Sequence, residues 1–247
     1  MRRRSLLAIG SGFYAAVLLV QAPATLVDAG LHSASNGRLR FTEAQGTIWA
    51  GAGVVEIRDP GSRNAIAKNI TWRVLPKSLW RGRLVCEVKL EQATRPFSVA
   101  ASLTKIEIAN AEINLPASAL AFAEPRLKPL KLSGDVLLRT AKLSIGRDGM
   151  LGTATLQWRA AGSAFSPVSP LGSYELRLDG QGNTVHSTLG TLQGPLQFDG
   201  SGSWTRGRNS TFLATVRVPL QYREQLAPLL RMISVQRDEG SFELRLN

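Results

Sequence analysis

The sequence has very few of the residues that carry chemistry in most enzymes. Cys86 is the only cysteine among 247 residues, so no intramolecular disulfide closes and no thiolate metal site forms. It alternates with Leu84, Val88 and Leu90 in LVCEVKL, which predicts a strand face shared with those residues and a small buried hydrophobe rather than a reactive thiol. The only two histidines, His32 and His186, lie far apart and in no metal-ligand spacing, and each reads as a surface or turn residue. There is no G-x-S-x-G elbow, no G-x-x-x-x-G-K-[ST] phosphate loop, no G-x-G-x-x-G opening a helix and no H-E-x-x-H pair. Asp148 in GRDG and Asp238-Glu239 in RDEG sit beside glycine, where solvated carboxylates cap turns and need no perturbed acidity. The expectation is a protein that is not an enzyme and holds neither metal nor cofactor.

Acidic residues are also scarce, 18 against 30 basic ones, leaving a formal charge of +12 of which Arg2, Arg3 and Arg4 supply three. That balance favours anionic surfaces: phospholipid headgroups, nucleic acid or acidic proteins. The remaining cations are scattered, without the dense basic block or aromatic signature of nucleic-acid modules, and a nucleic-acid partner is not expected. Asn69 (N-I-T) and Asn209 (N-S-T) match glycosylation sequons, which two such matches in a chain of this length do by chance. An apolar content of 44% with 19% charged residues is globular composition, so the chain should bury a core.

Long apolar runs are missing too, except at the start. Three arginines precede an uncharged run from Leu6 to Val20, which then weakens through Gln21, Pro23 and Thr25. This is an export or membrane signal: either a cleaved signal peptide, with Ala22-Pro23-Ala24 imitating the small-x-small site, or a retained anchor. Fifteen helical residues span about 22 Å, short of the roughly 20 residues a bilayer needs, and extension to Val27 supplies the difference. Proline beside the cleavage site favours retention. The expected division is a transmembrane anchor over 1–27 and an exported β domain over 28–247, the arginines staying in the cytoplasm. RRSLL also resembles a twin-arginine signal, though nothing downstream calls for folded export.

From Arg38 onward the pattern has period two. Tyr174, Leu176 and Leu178 alternate with Glu175, Arg177 and Asp179, and Phe242, Leu244 and Leu246 repeat the device near the C-terminus. Similar runs occur in GVVEIRD, RLVCEVKL, KIEIANAEI, KLSGDVLLRTAKLSI, TATLQW, PLQFDGSGSW and TFLATVRV, giving about ten to twelve strands separated in places by glycine-rich turns. Helical spacing of Tyr222, Leu226, Leu229, Leu230 and Ile233 predicts short helical turns either side of Pro228, and LPASALAF predicts another at 115–122. No βαβ alternation appears, so the fold class is mainly β with an antiparallel or mixed sheet. The only interruption suggesting a sub-boundary lies near 123–131, at Pro125 and Pro129.

Several landmarks come in a recognisable order: GTIWAG at 46–51, WRVLPKSLWRGRL at 72–84, LPASAL at 115–120, LQWRAAGSAFSPVSPLGSYEL at 156–176, TLQGPLQFDGSGSW at 191–204 and LAPLLRMIS at 226–234. In that order and spacing the chain resembles the type II secretion system protein N family (general secretion pathway protein N) along nearly its whole length. The resemblance implies a bacterial inner-membrane protein, single-pass, with a periplasmic β domain. It further implies a non-enzymatic accessory or assembly component of the machine that exports folded proteins across the outer membrane, with other subunits of that machine as partners and no catalytic residues to transfer. The G-T-x-W-x-G and W-x-x-x-P-x-x-L-x-x-G patterns also resemble periplasmic domains of large inner-membrane proteins implicated in lipid traffic. That second likeness implies a curved sheet, an open sandwich or half-barrel with an apolar concave face, and leaves a lipid-binding or lipid-handling module as the alternative, with phospholipid as ligand.

One stretch is a candidate contact. In ITWRVLPKSLWRGRL, Ile70, Trp72 and Val74 alternate as a strand with its apolar face inward, until Pro76 forbids further ladder donation. PKSLW then forms a turn and Gly82 releases the chain into the next strand. Trp72 and Pro76 read as a corner of the fold. Trp80, with Lys77, Arg81 and Arg83, reads as an exposed amphipathic tip suited to headgroups or an acidic partner.

Overall fold

The computed structural model describes residues 14, 17, 18, 20–58, 65–91, 93, 95–123, 125–207, 211–233, 235–238 and 241–246. Most of the apolar run at 6–20, Asn209 and Glu239 lie outside the described residues, and so do the calls made on them. The chain divides into two compact units, residues 1–96 and 97–247.

The first unit holds helix α1 (Thr25–Ala34), strands β1 (Leu39–Gly46), β2 (Ala50–Arg58) and β3 (Ala65–Leu75), a 3-10 turn (Pro76–Arg81) and β4 (Leu84–Leu90). The strands pair antiparallel in sequence order. Alternation in β3 and β4 sends Trp72, Val74, Cys86 and Val88 to one face, where they meet Phe41 of β1, Val55 of β2 and Ala24, Val27 and Leu31 from the α1 segment. Phe41 and Trp72 meet edge to face at 5.1 Å. Room for the two rings comes from glycine: a Cβ at Gly51 would lie 2.5 Å from the Trp72 ring, and one at Gly53 2.4 Å from Phe41. On the open edge of β1, Asp28 of α1 accepts the Phe41 N–H at 2.7 Å and lies 3.6 Å from Arg40, which protects a strand edge that would otherwise recruit another chain.

The N-terminal approach to this unit differs from the helix expected through Val27. Ala22 and Pro23 leave helical geometry, Pro23 forms an isolated bridge with Thr47, and a separate helix begins at Thr25. Proline disrupts the interior of a helix, and here sheet groups are within reach: Ala24 N–H donates to Gly46 O and Ile48 N–H to Ala22 O. Among the described residues no helix is long and apolar enough to cross a membrane.

The second unit is built on β5 (Phe97–Ala101), β6 (Lys105–Pro116), β7 (Ser133–Gly146), β8 (Gly149–Gly162), β9 (Gly172–Gly182), β10 (Thr184–Gln193), β11 (Gln197–Thr205), β12 (Thr211–Arg217), β13 (Val235–Asp238) and β14 (Ser241–Leu246). Pairing is antiparallel throughout and sequential up to β12, after which β14 inserts between β12 and β13. Short helical segments link β6 to β7, including α2 (Leu120–Ala123), where LPASALAF predicted a turn. The expected mainly β, antiparallel class therefore holds.

One face of this sheet is apolar across many strands. In β6 and β7, Ile108 pairs with Leu143 and Ile106 with Ile145, whereas farther along Ile113 pairs with Leu138 and Leu115 with Val136. The apolar positions change from even to odd numbers in β6, and Asn110, at φ 56°, stands at the change. A left-handed residue there keeps both apolar runs on one face, where strict alternation would expose half of them. Helix α3 (Arg223–Ile233) covers part of the sheet: Leu226 and Leu229 pack on Val216, Val218, Leu171 and Leu196. It passes through Pro228 as one helix, where sequence predicted two turns. Pro228 is exposed, while Leu226 and Leu229 on either side are buried and hold the helix down.

Candidate surface site

The tip between β3 and β4 is built by three local devices. Pro76 takes the first position of the 3-10 turn, where its missing N–H is not needed. Ser78 donates its hydroxyl to Leu75 O at 2.6 Å and accepts the Val85 N–H at 3.1 Å, tying both strand ends to the turn. Gly82, at φ 65°, closes it in the left-handed region, its N–H donating to Leu79 O at 2.9 Å.

These devices bury Trp72 and expose Trp80. Trp72 is 8% exposed and donates its indole N–H to Ile48 O at 3.2 Å; Trp80 is 95% exposed at the apex. Lys77, Arg81 and Arg83 are exposed around it. The structure thus places the four predicted contact residues together on one turn. Sequence reading missed that Leu75, Leu79 and Leu84 are exposed there as well, widening the apolar apex beyond one ring. Leu84 was expected on the inner face with Cys86; the signal against that was its place directly after Gly82-Arg83, at the strand's first position. Between Asp59 and Glu87 the chain carries six cations and no acidic residue, so the apex has a positive collar with no carboxylate on the turn.

Among the described residues the remaining candidates gather into no reactive constellation. Cys86 is half-buried in the first unit, and desolvation holds its thiol above the ordinary value of 9.0, against a hydrogen bond with the Arg73 backbone that acts the other way. His32 closes α1 and His186 is an exposed residue of β10. Asn69 donates its amide to Glu91 at 2.8 Å. Among the described residues no three His, Cys, Asp or Glu side chains gather as metal ligands would. Tyr174 is the strongest perturbation: it is buried beside Phe198, donates its hydroxyl to Leu196 O at 3.0 Å, and burial raises its pKa well above the usual phenol range. Its hydroxyl is committed to that carbonyl, which is a structural task.

Residues 37–245 match the family described as type II secretion system (T2SS), protein N. The chain belongs to that family. No curated protein and no solved structure matches it. The match begins two residues before β1, ends inside β14 and contains the Trp80 tip. As a protein N, the chain is a component of the type II secretion system, which associates it with the cell envelope and makes other subunits of that system its partners. The family is one of secretion-system components, not a known enzyme family.

Proposed function

We propose that this protein N is a non-enzymatic accessory or assembly component of the secretion system, held in the inner membrane by its N-terminal apolar run with both β units in the periplasm. The observation that carries the reading is the family match over residues 37–245, and the exposed Trp80 tip supports it as a surface free for contact. Retention of the N-terminal segment is supported by the fold: Ala24 is 1% exposed and bonded to Gly46, so cutting after it would remove residues that the first unit uses. Affinity capture of the full chain from solubilised membranes should recover other subunits of the system, and the captured chain should have a mass that includes residues 1–24. A deletion strain that secretes its usual exoproteins normally, with nothing captured, would sink the role; a mass beginning at Thr25 would sink the anchor.

A lipid-handling role is the second reading, favoured by one observation in the second unit. Helix α3 covers one end of the apolar sheet face, whereas Ile106 and Ile145, paired at the other end of that face, are each 49% exposed. An apolar face open at one end suits acyl chains. Native mass spectrometry of the purified chain would retain bound phospholipid under this reading and show bare protein otherwise.

A further inference from the structure

The first unit has two features at one end of its sheet. Gly46, the last residue of β1, pairs with Gly51 at the start of β2; Arg73, near the end of β3, pairs with Ala50; and Leu75 pairs with Val85 at the start of β4. The Thr47–Trp49 turn and the Pro76–Arg81 tip therefore stand side by side, joined by the Val74 N–H donating to Trp49 O at 2.6 Å. The chain also arrives from its N-terminal apolar run at this end, through the bridge of Pro23 to Thr47 and the bonds of Ala22 and Ala24 to Ile48 and Gly46. Trp80 and its cations thus flank the place where the run at 6–20 joins the folded unit.

From this placement we infer that the Trp80 tip is a second membrane contact, seated in the headgroup layer of an anionic bilayer beside the N-terminal segment; the inference rests on the anchored reading above. Trp80, Leu79, Leu75 and Leu84 are all exposed at the tip, with Trp80 at 95%. An exposed apolar apex ringed by long cationic side chains matches the polarity gradient of a membrane interface, where indole and leucine reach the acyl boundary while ammonium and guanidinium groups stay among phosphates. Cations at a negatively charged leaflet strengthen partitioning by about fivefold each, and Lys77, Arg81 and Arg83 all act in the same direction with no carboxylate on the turn to oppose them. A protein partner would need a pocket shaped to this apex, which is the competing outcome of the test.

The test uses the full chain in bilayers with brominated acyl chains, made from phosphatidylcholine alone or mixed with phosphatidylglycerol. The Trp80 signal is the emission of the wild type minus that of Trp80→Phe. In the anionic bilayer that signal should be blue-shifted and lose most of its intensity to bromine. The loss should shrink in phosphatidylcholine, at high salt, and in the Lys77→Gln, Arg81→Gln double variant. A Trp80 signal that stays water-like in both bilayers overturns the inference, as does one shielded only when other secretion subunits are added. Quenching that ignores lipid charge and the double variant overturns the headgroup assignment. Carbonate washing of native membranes reports on the anchor separately. Release of the chain sinks the anchored reading, and quenching of Trp80 on vesicles of the same lipids still decides the tip.

Discussion

Two tryptophans eight residues apart should behave oppositely when truncated. Trp72→Ala removes a ring that is 8% exposed, breaks the edge-to-face contact with Phe41 and leaves the Ile48 carbonyl without its indole donor. Removing a large buried aromatic costs about 3–5 kcal/mol, the surroundings closing only part of the cavity. Gly51 borders that cavity and has no side chain to move into it, which argues for the upper half of the range. Domains are stable by only about 5–15 kcal/mol, so the first unit would lose a large share of its stability. Trp80→Ala removes a ring that is 95% exposed and should stay within about 0.5 kcal/mol of the wild type. Hydrogen exchange of the full chain in detergent resolves the two, because β2, β3 and β4 amides report opening of the first unit alone. Trp72→Ala should accelerate exchange across those three strands, and Trp80→Ala should leave it unchanged. If Trp80→Ala opens the unit as Trp72→Ala does, or if Trp72→Ala leaves protection intact, the division into core ring and surface ring is wrong.

Other perturbations test other parts of the fold. Gly53→Ala drives a methyl to 2.4 Å from the Phe41 ring and should destabilise the first unit by about 1–3 kcal/mol in denaturant titration. Gly82→Ala meets open space but keeps φ 65°, so only backbone strain opposes it, about 1–2 kcal/mol with the turn retained. Tyr174→Phe leaves the Leu196 carbonyl unpartnered beside the aromatic cluster and should cost about 1–3 kcal/mol at neutral pH. The same variant should flatten the alkaline limb of a stability profile. The folded phenol ionises above the ordinary value of 10.0, so its contribution is present below pH 10 and is lost as the pH rises toward the folded value. Cys86, raised for the same reason of burial, should resist alkylation in the folded chain and react at the ordinary rate once unfolded; rapid labelling of the native protein would refute its placement.

Sequence alone reached the strands whose apolar residues alternate with charge, such as β9 and β14, and the corner at Trp72 and Pro76. It missed strands whose inward positions are small or polar. In β10 the residues facing the sheet interior include Ser187, 2% exposed, which no hydropathy pattern marks as core. β1 was obscured by its bulge between Thr42 and Gln45, where Glu43 at φ 54° breaks the two-residue rhythm. β13 was not among the predicted strands, since it follows directly on leucines with helical spacing and has little alternation of its own. At the tip, composition was enough to single out Trp80, Lys77, Arg81 and Arg83. The exposed leucines beside them were not legible, because a leucine at a strand end has no sequence mark that tells core from rim.

The bridge between Pro23 and Thr47 bears on how freely the first unit can move. Only Gln21 separates Val20 from Ala22, which is already packed in the unit. Two residue steps of extended chain reach about 7 Å, so there is no slack to serve as a leash. A receptor domain on a long linker explores a hemisphere above its anchor and meets partners by search. Under the anchored reading proposed above, a unit tied this closely to its anchor has no such search, and a subunit that displaced the anchor would pull directly on Ala22 and Ala24 at the edge of the first unit.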